Sequence, residues 1–170
     1  MILISAGHSD KDSGAIVNRL KENELALDLR DRLSAELKDI PHITDGSEGQ
    51  NSSLNEAIKL LHKCAFGIEI HFNSSSNKGV KGTEVFGLSK HKVKGERLSS
   101  IVAHSLNTNN RGFKTEKESN RKKLGFVRAG GLILEVEFLT NEEAMQNYFK
   151  YKDALIKNLY FYLKGLKNEQ

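Results

Sequence analysis

Phe66-Gly-Ile-Glu-Ile-His71 is the stretch on which the fold turns. Its phenylalanine and isoleucines suit a pleated, half-buried surface, and it runs straight into the turn-prone segment Asn73–Lys78. This predicts a buried strand over Phe66–His71 with a histidine at its C-terminal end. Upstream, Met1–Ser5 is a short aliphatic strand closed by Ala6-Gly7, and His42–Thr44 is another short strand. A helix from about Leu20 to Leu37 places Ala26, Leu29, Leu33 and Leu37 on one stripe. Ser53-Leu-Asn-Glu56 has capping-box spacing and opens a helix to about Lys63.

Downstream come a strand over Gly79–Phe86, a helix over Lys92–Leu106 and a polar, basic loop from Asn107 to Lys123. Leu124–Arg128 and Leu132–Glu137 read as two more strands, separated by Ala129-Gly-Gly131. Thr140-Asn-Glu-Glu143 is a second capping box, opening a helix to about Leu166. Strands alternating with helices imply an α/β fold. The expectation is a single layered domain over residues 1–170, with a mixed, mostly parallel sheet of about six strands flanked by helices on both faces. Sites in such sheets lie at the C-terminal ends of strands and the helix starts beside them.

Composition narrows the class. The chain has 170 residues, 38% of them hydrophobic, and 14 glycines, which excludes disordered, collagenous and coiled-coil proteins. No apolar run approaches the ~20 residues of a spanning helix, so no stable membrane insertion is expected. The single cysteine, Cys64, can make neither an internal disulfide nor a thiolate metal cluster, and reads as a small buried hydrophobe. The first residues lack the basic and long apolar regions of a signal peptide, which predicts synthesis in the cytoplasm. A formal charge of +4 suits either an anionic partner or a solvated basic surface. Nucleic acid is not expected, because the aromatics cluster in the C-terminal helix and not among the basic loop residues.

Four residues can carry chemistry: His8 after the first strand, His71, Glu135 within Leu132–Glu137, and Glu22 near the first helix start. Glu22 shares its helix face with Ala26, Leu29 and Leu33, whereas Glu24 shares the solvent face with Asp28 and Asp31. A carboxylate aimed at a core needs a partner or a cation; at a helix start it can also sit at the water's edge, favoured by the dipole. Both readings of Glu22 stay open. His42, His62, His91 and His104 have no comparable placement and read as structural. Two imidazoles and a carboxylate are a familiar ligand set for catalytic zinc, provided that the fold brings them together.

Several motifs occur in order: Ile-Ser-Ala-Gly-His8; Leu-Lys-Glu22 before Leu25-Ala-Leu27; Ile-Glu-Ile-His71-Phe-Asn73; Gly82-Thr-Glu-Val85; and Leu134-Glu135-Val-Glu-Phe-Leu-Thr-Asn141. Over nearly the whole chain, from Met1 to about Tyr148, this resembles the zinc-dependent N-acetylmuramoyl-L-alanine amidases of phage endolysins and bacterial cell-wall enzymes. The resemblance implies one Zn2+ on His8, Glu22 and His71, and Glu135 as the catalytic acid–base. It implies peptidoglycan as substrate, with cleavage of the amide between the muramic acid lactyl group and L-alanine. Asn73 and Arg128 are the candidate substrate contacts; Arg128 either holds a stem-peptide carboxylate or is a solvated arginine. Glu69, two residues before His71, either orients that histidine or faces a helix. Glu135 and Glu137 share a strand face, so only the motif register selects Glu135. A monomeric phage or prophage lysis enzyme, released to the wall by another factor, is the expected setting. A zinc peptidase cutting within the stem peptide and a non-catalytic wall-binding module are the alternatives.

Overall fold

The computed structural model describes residues 1–119 and 123–168. In chain order it has β1 (Ile2–Ala6), β2 (Ile16–Val17), β3 (Leu20–Lys21), α1 (Glu22–Glu36), β4 (His42–Thr44), α2 (Leu54–Leu61), β5 (Phe66–Asn73) and β6 (Thr83–Phe86). There follow α3 (Lys92–Leu106), β7 (Asn110–Lys114), α4 (Gly125–Arg128), β8 (Leu132–Phe138) and α5 (Glu142–Asn168). Six strands form one mixed sheet in the order β4-β1-β5-β8-β6-β7, while β2 and β3 make a separate small hairpin. Strands β4, β1, β5 and β8 run parallel, β6 is antiparallel to β8, and β7 is parallel to β6. This is the α/β architecture expected from the sequence.

Strand alternation divides the core. Ile2 and Ile4, Ile68 and Ile70, and Leu132 and Leu134 face α1, α3 and α5, whose Leu29, Leu98 and Leu163 are fully buried. Leu3, Ile133 and Phe86 face the other way, against Ala57 and Leu61 of α2 and Phe126 and Val127 of α4. These two short helices cover only part of their face. The remainder, toward the C-terminal ends of β1, β5 and β8, carries polar side chains.

The elements differ from the sequence expectations at several places. The helix expected from about Leu20 starts at Glu22 after the β2–β3 hairpin, the strand expected over Gly79–Phe86 is confined to Thr83–Phe86, and three further differences bear on packing. Leu124–Arg128 is not a strand: residues 125–128 form the turn of helix α4. Phe126 and Val127 are adjacent and both fully buried, which a helical turn packed on the sheet achieves and an alternating strand does not. The segment expected as loop over Asn107–Lys123 contains β7, an edge strand whose polar and charged residues suit an edge; residues 120–122 of that segment lie outside the described residues. Helix α5 is capped by Asn141, whose Oδ1 accepts from the Ala144 amide at 2.9 Å, and not by Thr140, whose hydroxyl accepts from the Ser75 amide. Ser53 caps α2 as its motif predicts.

Candidate active site

Beyond β1 the chain turns sharply through Gly7 and His8. His8 adopts a left-handed backbone, φ 67°, which is strained for a residue with a Cβ. The turn is held from beneath by Asn51, whose Nδ2 donates to the carbonyls of Ala6 and Gly7 at 3.1 Å and of His8 at 3.3 Å. Asn51 is in turn fixed by the loop before it. The fully buried Arg30 donates to Asp45 Oδ1, to Asp31 Oδ1 and to the carbonyls of Ser47 and Gln50, and Asp45 also accepts from Ser5. Two glycines make room. A Cβ on Gly7 would fall on the His71 ring, and one on Gly14 would meet His8 and Glu22.

Glu22 is the first residue of α1 and only 2% exposed, so the amphipathic register does aim it at the sheet. Its Oε1 lies 2.9 Å from His71 Nδ1 and accepts from the Phe72 amide at 3.2 Å. Its Oε2 accepts from the Ala15 amide at 3.0 Å and stands 2.9 Å from His8 Nε2. That last pair is close but not aligned as a hydrogen bond, and His8 Nε2 is buried without one. The other ring nitrogens are held: His8 Nδ1 by Asp12 at 2.9 Å and His71 Nε2 by Glu69 at 3.1 Å. One donor atom each from His8, Glu22 and His71 lies within 4.8 Å of the others. Two imidazoles, a carboxylate and a buried nitrogen lacking a hydrogen bond fit a cation with nitrogen and oxygen preference, and the outer carboxylates fix the ring orientations as such centres require.

The electrostatics agree. Burial opposes the Glu22 charge, yet the hydrogen bond with His71 and the adjacent His8 imidazole hold its carboxyl well below the usual range. Burial would likewise depress both imidazoles, but the surrounding carboxylates more than reverse it. His71 is raised well above its ordinary value by Glu22, Glu69 and Glu135, and His8 is raised by Glu22 and Asp12. The carboxylates around the two imidazoles favour positive charge on them.

Glu135 sits directly beside His71 in the β5–β8 register. It lines a cavity of about 590 Å³ together with Glu22, Asn73, Glu84, Arg111 and Lys114. The structure separates Glu135 from its neighbour on the strand. Glu137 is fully buried and accepts from the amides of Gly82 and Phe138, so it serves the backbone. Asn73 lines the cavity and donates to Glu84. Glu69 contacts His71 Nε2 and lies on the sheet face that α2 and α4 partly cover. Arg128 lies outside this cavity, with its guanidinium on Glu116 at 2.8 Å. Sequence reasoning missed Asn51, Glu84, Arg111 and Lys114. Only the Gly82-Thr-Glu-Val85 motif pointed near any of them.

Fold and donor set together define an α/β protein with a candidate metal centre and an adjacent carboxylate at the strand ends. The chain belongs to the N-acetylmuramoyl-L-alanine amidase family, whose sequence profile matches residues 2–164. The N-acetylmuramoyl-L-alanine amidase LytC of Bacillus subtilis is 27% identical over 92% of this chain, but the match spans only 32% of that longer protein. A Neisseria meningitidis structure, provisionally described as an N-acetylmuramoyl-L-alanine amidase, superposes with a TM-score of 0.90 at 27% identity and covers 98% of this chain and 95% of its own. The catalytic domain of the CD27L endolysin targeting Clostridia difficile shares the fold, with a TM-score of 0.71 at 22% identity and 96% coverage of both chains.

Proposed function

We propose that this chain is a zinc-dependent hydrolase that cleaves the amide joining the lactyl group of N-acetylmuramic acid to the L-alanine of the peptidoglycan stem peptide. The observation that carries this reading is the convergence of His8, Glu22 and His71 beside the cavity that Glu135 lines. A zinc ion on these three donors would supply Lewis acidity toward water and the scissile carbonyl. The protein's own part is positional. Asn51, Asp12 and Glu69 orient the two imidazoles, and burial of Glu22 keeps its carboxylate directed at the centre. Glu135 takes a proton from the attacking water and returns it to the departing alanine nitrogen, so that water ends as a lactyl carboxyl group and a free amine. Asn73, on the cavity wall next to Glu84, is placed to contact the substrate.

All of these residues come from one chain, which supports action as a monomer. Among the described residues no helix is long and apolar enough to cross a membrane. The proposed place of action is the cell wall, reached from the cytoplasm. A phage or prophage lysis role belongs to this proposal, supported by the fold held in common with the endolysin domain. Mass analysis of digested, purified peptidoglycan tests the chemistry. Glycan strands with free lactyl carboxylates and peptides with free N-terminal L-alanine, both abolished by a chelator, are expected. Products that retain alanine on the muramic acid would assign cleavage within the peptide and overturn the reading.

A further inference from the structure

Beyond Glu135 the cavity floor reaches a charged group that hydrolysis itself does not use. Glu84 stands opposite Glu135 in the antiparallel β6–β8 pair, so the two side chains leave the sheet on the same face. Glu84 is 4% exposed and fully engaged. Its Oε1 accepts from Asn73, and its Oε2 accepts from Arg111 Nε at 2.6 Å and from Lys114 Nζ at 2.5 Å. Two cations on one carboxylate leave a net positive charge.

The backbone explains how both cations reach this spot. Arg111 and Lys114 are three residues apart on β7, and a regular strand would send them to opposite faces. Here the register moves from Thr83↔Asn110 to Glu84↔Gly112, which skips a residue, and Gly112 takes φ 78°. This glycine bulge turns both long side chains toward the cavity. The Arg111 guanidinium lies 5.0 Å from the centre of the Phe138 ring. Glu84 occupies only its Nε, and no hydrogen bond among the described residues involves its two terminal nitrogens. The side chains of Arg111 and Lys114 are 34% and 23% exposed, and both line the cavity with Glu22 and Glu135. Glu118, another carboxylate on the lining, is turned onto the amide and hydroxyl of Thr115.

We propose that Arg111 and Lys114, set in place by Glu84, form an anion subsite for a stem-peptide carboxylate on the leaving-group side of the scissile amide. The proposal rests on the amidase reading. The fork of terminal guanidinium nitrogens matches a carboxylate, and the ammonium adds a point charge. The peptide side is assigned because the glycan side offers no anion there: the lactyl carboxyl is consumed in the amide and the amino groups are acetylated. A γ-linked glutamate after the alanine presents a free α-carboxylate, which amidation removes. The subsite therefore makes the protein discriminate between carboxylate and carboxamide stem peptides.

The test uses two synthetic muramoyl peptides that differ only in that carboxylate or carboxamide. The zinc-loaded wild type and the variants Arg111→Met, Arg111→Lys and Lys114→Met are compared by the ratio of kcat/KM for the two substrates. The wild type is expected to favour the carboxylate by about tenfold or more, the scale of a hydrogen bond to a charged group. The ratio should fall toward one in both methionine variants and stay intermediate in Arg111→Lys. Zinc content and melting curves establish that each variant is folded; should Arg111→Met fail that check, Lys114→Met and the wild-type ratio decide. Equal wild-type rates on both substrates, or a ratio unchanged in the folded variants, overturns the subsite and leaves the amidase reading standing. Absence of hydrolysis of either substrate by the wild type overturns the amidase reading and the subsite together.

Discussion

Replacing Asn51 tests whether the strained histidine turn is held by one amide. Its NH2 group spreads two hydrogens over three carbonyls, at 3.1, 3.1 and 3.3 Å, in a site only 7% exposed. Removing it in Asn51→Ala deletes about two net hydrogen bonds, worth roughly 1 kcal/mol each. The expected loss of stability is therefore about 2–3 kcal/mol. A domain of this size loses about 2–4 °C per kcal/mol, so the melting temperature should drop by about 5–10 °C. Because the same turn sets His8, zinc affinity should fall as well, by about tenfold to a hundredfold, as for other residues that orient metal ligands. Asn51→Asp is the sharper variant. It preserves shape but points an acceptor at three acceptors, and should be worse than alanine. Calorimetry with and without zinc, together with competition against a coloured chelator, measures both effects. Should Asn51→Asp melt like the wild type, or Asn51→Ala bind zinc with unchanged affinity, the strap is not what holds His8.

Other residues give sharp expectations. Glu135→Ala should retain its metal and lose about 10²–10⁴-fold in peptidoglycan hydrolysis, the usual contribution of a positioned acid–base; wild-type turnover in dye release from labelled walls would remove Glu135 from the mechanism. Glu69→Ala should weaken zinc binding by about tenfold or more, with Glu69→Gln retaining part of it through a hydrogen bond to His71, measured by chelator competition; identical affinities would make the Glu69–His71 contact incidental. In metal-free protein, the raised imidazoles of His8 and His71 stabilise fully below their ordinary value of 6.5, and this stabilisation fades as pH rises through their higher folded values. Glu22, being lowered, acts oppositely: its contribution is present above 4.5 and is lost only as pH falls below that. Zinc displaces the histidine protons, so the rise in melting temperature on adding zinc should be larger at pH 8 than at pH 6, and a smaller rise at pH 8 would contradict the assigned ligands.

The strands beneath the site were legible from composition, a short aliphatic run ended by Ala6-Gly7 in β1 and isoleucine with phenylalanine in β5. Isoleucines on one face of β5 and β1 betray the core, and His71 follows from the strand that carries it. Helix periodicity set Glu22 on the face of Ala26, Leu29 and Leu33 but left a place at the water's edge open, and only the folded chain shows the side chain buried. Other features were hidden because they depend on tertiary structure. Helix α4 is too short for any period to declare itself, and its helical form comes from burying Phe126 and Val127 together. Strand β7 carries Asn, Arg, Gly and Lys, and reads as loop until an edge and a bulge give that composition a purpose. That concealment hid Arg111 and Lys114. Arg128, read as a carboxylate contact or a solvated arginine, lies outside the cavity with Glu116 against its guanidinium. Asn51 carries no local signal, because its partners are the carbonyls of a turn more than forty residues earlier.

Metal content per chain, measured by elemental analysis of the purified protein beside His8→Ala and His71→Ala, bears most directly on the whole account. One zinc per wild-type chain, with markedly less in each variant, is the predicted result. Full occupancy surviving in either histidine variant would place the metal elsewhere and contradict the site described above.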